Sequence, residues 1–271
     1  MAEHLEEEQS ESDETMSLTE EEIAWALDIK EAVREEHPEI EFVNDFWCGQ
    51  LAIKFEDDLG AALECLQKMH YFRQEYKIQD SWEYGIRMIQ EFVALFPEFW
   101  MAMEYHEDEG HHVMVCDCAK FHGKKVNKSE RDIQVWLSAV YFSSTALSSD
   151  FEALRNGVVV LLENEGYEWK KNFDVKTFLK MITEISGVYP MQHQILKNYN
   201  TGYFMNILVS MARPLMPKDI SSRYLMGCVS PMGRLDRIYM VPTVKAANQR
   251  LFQAYQEALQ KRYANEAAFK L

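Results

Sequence analysis

The chain has 271 residues, 47% of them apolar, which suits one large domain or two small ones with a sizeable core. Its net charge of −16 is uneven: the first 22 residues hold ten acids and no Lys or Arg, which leaves the rest at −6, so duplex nucleic acid, whose phosphates call for an excess of cations, is not an expected partner. Five scattered Cys argue against a disulfide framework, and no stretch nears the roughly 18 apolar residues of a membrane span, so a soluble, cytoplasmic chain with at most peripheral membrane contact is expected.

Residues 1–22 read as a disordered acidic tail, polar and low in complexity, with neither the basic nor the apolar region of a signal peptide. A helical pattern begins near Thr19, where Glu22 completes a capping box. Ile23, Ala26, Leu27 and Val33 lie near one face of it, and Pro38 closes it. Leu59, Leu63, Leu66 and Met69 predict a helix from Asp57 to Tyr71. Ser81 starts another, with Trp82, Ile86, Ile89, Val93 and Phe96 as its stripe and Pro97 as its end. Residues 23–100 therefore read as an N-terminal helical unit.

The character then changes. His112 to Cys118 reads as a strand, and Ser129 opens a helix carrying Ile133, Trp136, Leu137, Val140 and Tyr141. Asn156-Gly157 is a turn, and Val158 to Leu162 is an apolar run suited to a strand buried on both faces. Asp174 caps a helix whose face is Val175, Phe178, Leu179, Ile182 and Ile185, closed by Gly187. A strand from Gln192 to Tyr199, a helix from Tyr203 to Met211, a short strand from Tyr224 to Val229 and an amphipathic helix from Val244 to Ala264 complete the chain. Strands alternating with helices predict a layered α/β domain.

The segment from Asn156 to Tyr167, a turn, an apolar strand, Glu163, then Glu165-Gly166-Tyr167, resembles the CRAL-TRIO lipid-binding domain. Tyr189-Pro190, the strand to Asn198, Tyr203-Phe204, Arg213-Pro214-Leu215 and Ile220 to Gly227 follow the order of the same family, over residues 50–230 in all. The resemblance implies an α/β fold: a three-layer CRAL-TRIO domain over residues 101–241, with an N-terminal helical unit and a C-terminal helix over 242–271. Members resembling cellular retinaldehyde-binding protein or α-tocopherol transfer protein enclose one hydrophobic molecule between a sheet floor and a gate helix. Carried over by position, the ligand-binding residues are Leu137, Tyr141, Ser144, Val158, Val160, Leu162, Met181, Ile185, Met191, His193, Leu196 and Phe204, with Ile207, Leu208 and Met211 on the gate. Tyr141 and Ser144 stand one turn apart and are placed to bond a head group. The gate segment is apolar nearly all round, with Gly202 as a hinge and Pro214 and Pro217 stiffening its far end.

The chain departs from the family after Tyr189-Pro190. Met191, Gln192 and Gln194 replace the charged residues of inositide binders, and Arg223 alone keeps a head-group or membrane cation. A neutral ligand such as a retinoid, tocopherol or sterol-like molecule is the expectation. The implied function is a monomeric carrier that moves this ligand between membranes through the cytosol. The alternative is a lipid-sensing interaction module whose bound lipid is structural. Cys116 and Cys118, near His106, His111, His112 and His122, lack the usual spacing of a metal site. No Gly-x-Ser-x-Gly elbow, dinucleotide glycine motif or Walker loop occurs, so no enzyme, metal or cofactor is expected.

Overall fold

The computed structural model describes residues 16–96, 101–106, 111–185, 188–191, 193–201, 203–215, 222, 224–228 and 244–271. The N-terminal unit contains α1 (Glu20–Glu36), α2 (Asp45–Phe55), α3 (Leu59–Glu75) and α4 (Trp82–Leu95). Each opens on a side-chain cap, from Thr19, Asn44, Asp58 and Ser81, that satisfies amides of the first turn. Thr19 and Glu22 form the expected capping box, with the Glu22 carboxylate accepting from the Thr19 amide at 2.8 Å. The helix therefore includes Glu20 to Glu22, which were expected in the tail; residues 1–15 lie outside the described residues.

The buried stripe of α1 is Ala26, Ile29 and Val33, whereas Ile23 and Leu27 are exposed, because the face that meets α2 is turned from the expected one. Helix α2 was not anticipated. All residues from Phe46 to Ile53 are buried, so it lacks the polar face on which helical periodicity depends.

Five strands form one sheet in sequential order: β1 (Met101–His106), β2 (His111–Asp117), β3 (Val158–Glu163), β4 (His193–Tyr199) and β5 (Tyr224–Cys228). β1, which the sequence reading did not include, runs antiparallel to β2, and β2 to β5 are parallel. Between β2 and β3 come α5 (Gly123–Val126), α6 (Glu130–Leu147) and α7 (Phe151–Asn156). Gly157, at φ 72°, makes the entry into β3. Between β3 and β4 come α8 (Trp169–Asn172), α9 (Val175–Lys180) and a π turn (Met181–Ile185). α10 (Tyr203–Ala212) joins β4 to β5, and α11 (Val244–Ala268) ends the chain. Helix α6 contacts the π turn.

One core runs from α1–α4 through α6 to the sheet, so the boundary expected at residue 100 does not divide two cores. Helices α4 and α6 approach at Gly85, where a Cβ would stand 2.5 Å from the ring of buried Phe142. Helix α11 closes this core with fully buried Tyr255 and Leu259. The opposite sheet face carries its own cluster: Val113, Val115, Val159, Leu161 and Tyr199. In α9 the inward residue is Thr177, whose hydroxyl bonds the Gly123 carbonyl at 2.8 Å; Val175 and Leu179, expected to face inward, point to solvent. The architecture is thus mixed α/β and mostly helical. Among the described residues no helix is long and apolar enough to cross a membrane.

Candidate functional site

Alternation along β3 puts Val158, Val160 and Leu162 on one face of the sheet. The register sets Met114 and Leu196 beside Val160, and paired residues share a face. With Leu147 from the end of α6 and with Tyr189 and Met191 from the loop before β4, these side chains form one apolar cluster. Five expected ligand-binding residues are thereby brought together: Val158, Val160, Leu162, Met191 and Leu196. Met114, Leu147 and Tyr189 were not among the residues read from sequence. The β2–β3 pairing would have supplied Met114, and Tyr189 had served only to mark the Tyr-Pro motif.

Tyr189 is the polar edge of this cluster. Its ring meets Trp47 and Tyr141 edge-on, at 5.6 and 5.5 Å. Among the described residues its hydroxyl, near Thr145 and Arg262, has no hydrogen bond of good geometry. Burial raises its pKa, so it stays a neutral phenol and a donor.

Leu137 and Tyr141 belong to the main core instead. The Tyr141 hydroxyl accepts from Arg73 Nη1 at 3.2 Å and donates to Met69 Sδ at 3.8 Å, and its ring stacks on Phe72. Burial raises its pKa, and neighbouring Arg73 offsets only part of that. Arg73 also pairs with Asp80 at 2.8 Å, which accepts from the Tyr263 hydroxyl at 2.7 Å. The Tyr141 hydroxyl is therefore engaged by α3, and the phenol bordering the sheet cluster is Tyr189. Ser144 donates to the Val140 carbonyl one turn back at 3.1 Å, which leaves its oxygen able to accept.

Helix α10 buries Val209, and the opposite side carries Tyr203, Ile207 and Met211, 79%, 38% and 70% exposed, at four-residue intervals. Ile207 and Met211 thus lie on the outer surface of the helix, and Met181 is also exposed. The side chains of Ile185, His193, Phe204 and Leu208 lie outside the described set, as does Arg223 entirely.

At the strand ends, Asn164 Nδ2 is shared between the Tyr199 carbonyl at 2.9 Å, the Leu162 carbonyl at 3.1 Å and Asn198 Oδ1 at 3.2 Å. Glu163 accepts from the Glu165 amide and from Asn200, both at 2.8 Å, so it serves the turn at Gly166. Burial pushes the Cys116 thiol up to about 12 and Cys118 also upward, which keeps both protonated. Among the described residues no group of three or more His, Cys, Asp or Glu could hold a metal. The sheet cluster offers aliphatic contact and is bordered by the ring of Tyr189, whose hydroxyl lies near Thr145 and Arg262. No protein-family model matches this chain, and no curated protein matches it.

Proposed function

We propose that the protein binds one hydrophobic small molecule against the Val158–Val160–Leu162 face and carries it between membranes. The observation that carries this reading is α10, a helix apolar on both sides. It has no charged residue, buries Val209 and still presents Tyr203, Ile207 and Met211 outward. Full burial of a side chain such as Met211, which is 70% exposed, contributes about 1.5–3 kcal/mol, most of which is forgone in water. A helix that alternates between covering a ligand and lying on a bilayer has apolar surroundings on both sides. The resemblance to CRAL-TRIO domains supports the same assignment, with α10 as gate. The lone phenol of Tyr189, with Met191, Gln192 and Gln194 where inositide binders carry charge, favours a neutral ligand such as a retinoid, tocopherol or sterol-like molecule.

Native mass spectrometry with organic extraction tests the reading, and one apolar molecule per chain is expected. The double variant Ile207→Asp/Met211→Asp should retain that occupancy and slow vesicle-to-vesicle transfer about tenfold or more. A protein that is empty and ignores retinoid, tocopherol and phospholipid panels would transfer the assignment to a protein-interaction module.

A further inference from the structure

Two segments of this acidic chain are basic. Residues 119–129 contain Lys120, Lys124, Lys125 and Lys128 and no acid; residues 169–180 contain Lys170, Lys171, Lys176 and Lys180 and a single acid, Asp174. The fold stitches them together. Buried Asn172 donates to the carbonyls of Ala119 and Phe121 at 2.7 and 2.8 Å. Thr177 donates to the Gly123 carbonyl, and Asn127 donates to Asp174 at 2.7 Å. At Gly123 a Cβ would stand 2.9 Å from that of Asp174, so the start of α5 and the cap of α9 are in close contact.

Seven of the eight lysines are exposed. The acidic neighbours are fewer than the lysines, and Asp117 faces Lys120. Glu168 lies 3.9 Å from Lys171 on the surface, Glu184 pairs with Lys180 at 2.8 Å, and Asp174 is held by Thr177 and Asn127. Among the lysines stand outward apolar side chains: Val175 and Leu179 on the side of α9 opposite Thr177, and Met181 beyond them, 56%, 45% and 44% exposed. Half-buried Trp169 stacks on Phe173 at 3.9 Å beside them.

We propose that this α5–α8–α9 corner docks the protein on an anionic lipid bilayer. The proposal rests on the carrier reading for its purpose and on the corner for its chemistry. A partner must be anionic for the lysines and apolar for Val175, Leu179 and Met181. The head-group zone of a bilayer is both, with lysine stems lying along the acyl boundary and ammonium groups at the phosphates. The corner acts despite the net charge because screening limits each charge to about 10 Å at 0.1 M salt. It would select which membrane is visited, while α10 meets the acyl phase.

The test is co-sedimentation of the full chain with phosphatidylcholine vesicles, with and without about one-third phosphatidylserine. Salt-sensitive binding to the phosphatidylserine vesicles is expected. Lys124→Glu/Lys170→Glu/Lys176→Glu should weaken it about a hundredfold or more, at about fivefold per lysine removed. Val175→Ser/Leu179→Ser should weaken it about tenfold. All five positions are exposed, and unchanged unfolding midpoints will verify that the variants fold. Equal binding to both vesicles, or a lysine variant that binds like the parent, overturns the proposal. A loss confined to the lysine variant, with the Val175/Leu179 variant unaffected, overturns the part assigned to Val175, Leu179 and Met181 and makes the contact electrostatic alone. Ligand occupancy read on the same samples keeps the two readings apart: an empty protein that still binds through these lysines retains the docking site and loses the carrier assignment.

Discussion

Arg262 is fully buried. Its guanidinium lies over Phe46 at 3.9 Å and Trp47 at 4.8 Å, pairs with Glu266 at 2.6 Å and reaches Gln50 Oε1 at 3.4 Å. Asn44 takes the other Glu266 oxygen at 2.5 Å. A planar cation that stacks while donating sideways suits this slot, and an ammonium does not. Arg262→Ala would strand Gln50 and Glu266 and open a void beside two aromatic rings. The expected loss is about 3–5 kcal/mol in urea unfolding, little changed by salt because the pair is shielded from water. A loss below about 1 kcal/mol would show that the cation adds little beyond packing.

At the scale of elements, helix α1 is joined to helix α7 through its cap. Glu22 accepts from Thr19 and from Arg155, at 2.5 Å from Nη2, and Arg155 also donates to the Ser17 carbonyl. Burial opposes the Glu22 charge, but the Arg155 and Thr19 hydrogen bonds outweigh it and hold its pKa below the usual value. A depressed folded pKa means that the contribution is present above the unfolded value of about 4.3 and is lost as pH falls through the folded pKa. The stability difference between the parent and Glu22→Gln should therefore be constant from neutral pH to about pH 5 and shrink below about pH 4, measured by thermal unfolding. A difference that grows on acidification would contradict this. Elements with caps and two-sided character were legible in the sequence: α1, α3, α4, α6 and α9 start at or within two residues of their expected places. α2 was hidden because it is buried all round, and β1 because its identity as a strand comes from pairing with β2. The placement of candidate residues was legible where strand alternation decides it: Val158, Val160 and Leu162 share one sheet face. It was less legible where helix rotation decides it: Tyr141 faces the main core, and Met181, Ile207 and Met211 face outward.

At the scale of the molecule, charge is segregated. Residues 1–15 hold seven acids and no Lys or Arg, whereas segments 119–129 and 169–180 together hold eight lysines and one acid, with Glu168 and Glu184 at their margins. The acidic segment opposes approach to any anionic surface. Deleting residues 1–15 should raise partition onto phosphatidylserine vesicles severalfold at low ionic strength and leave the unfolding midpoint unchanged. The difference should vanish near 1 M salt, where the screening length is about 3 Å. Equal partition with and without the segment at low salt would remove it from any electrostatic role.

Helix α11 has a consequence for synthesis. Phe46 and Trp47 are made about 200 residues before the Arg262 on which they stack, and the Asp45 bond to the Leu271 amide likewise joins distant parts of the sequence. At roughly 5–20 residues per second the delay is about ten to forty seconds. Through that interval the nascent helical unit lacks the guanidinium that helix α11 lays over these rings. The growing chain, more than the finished one, is where chaperone dependence and truncation sensitivity should concentrate.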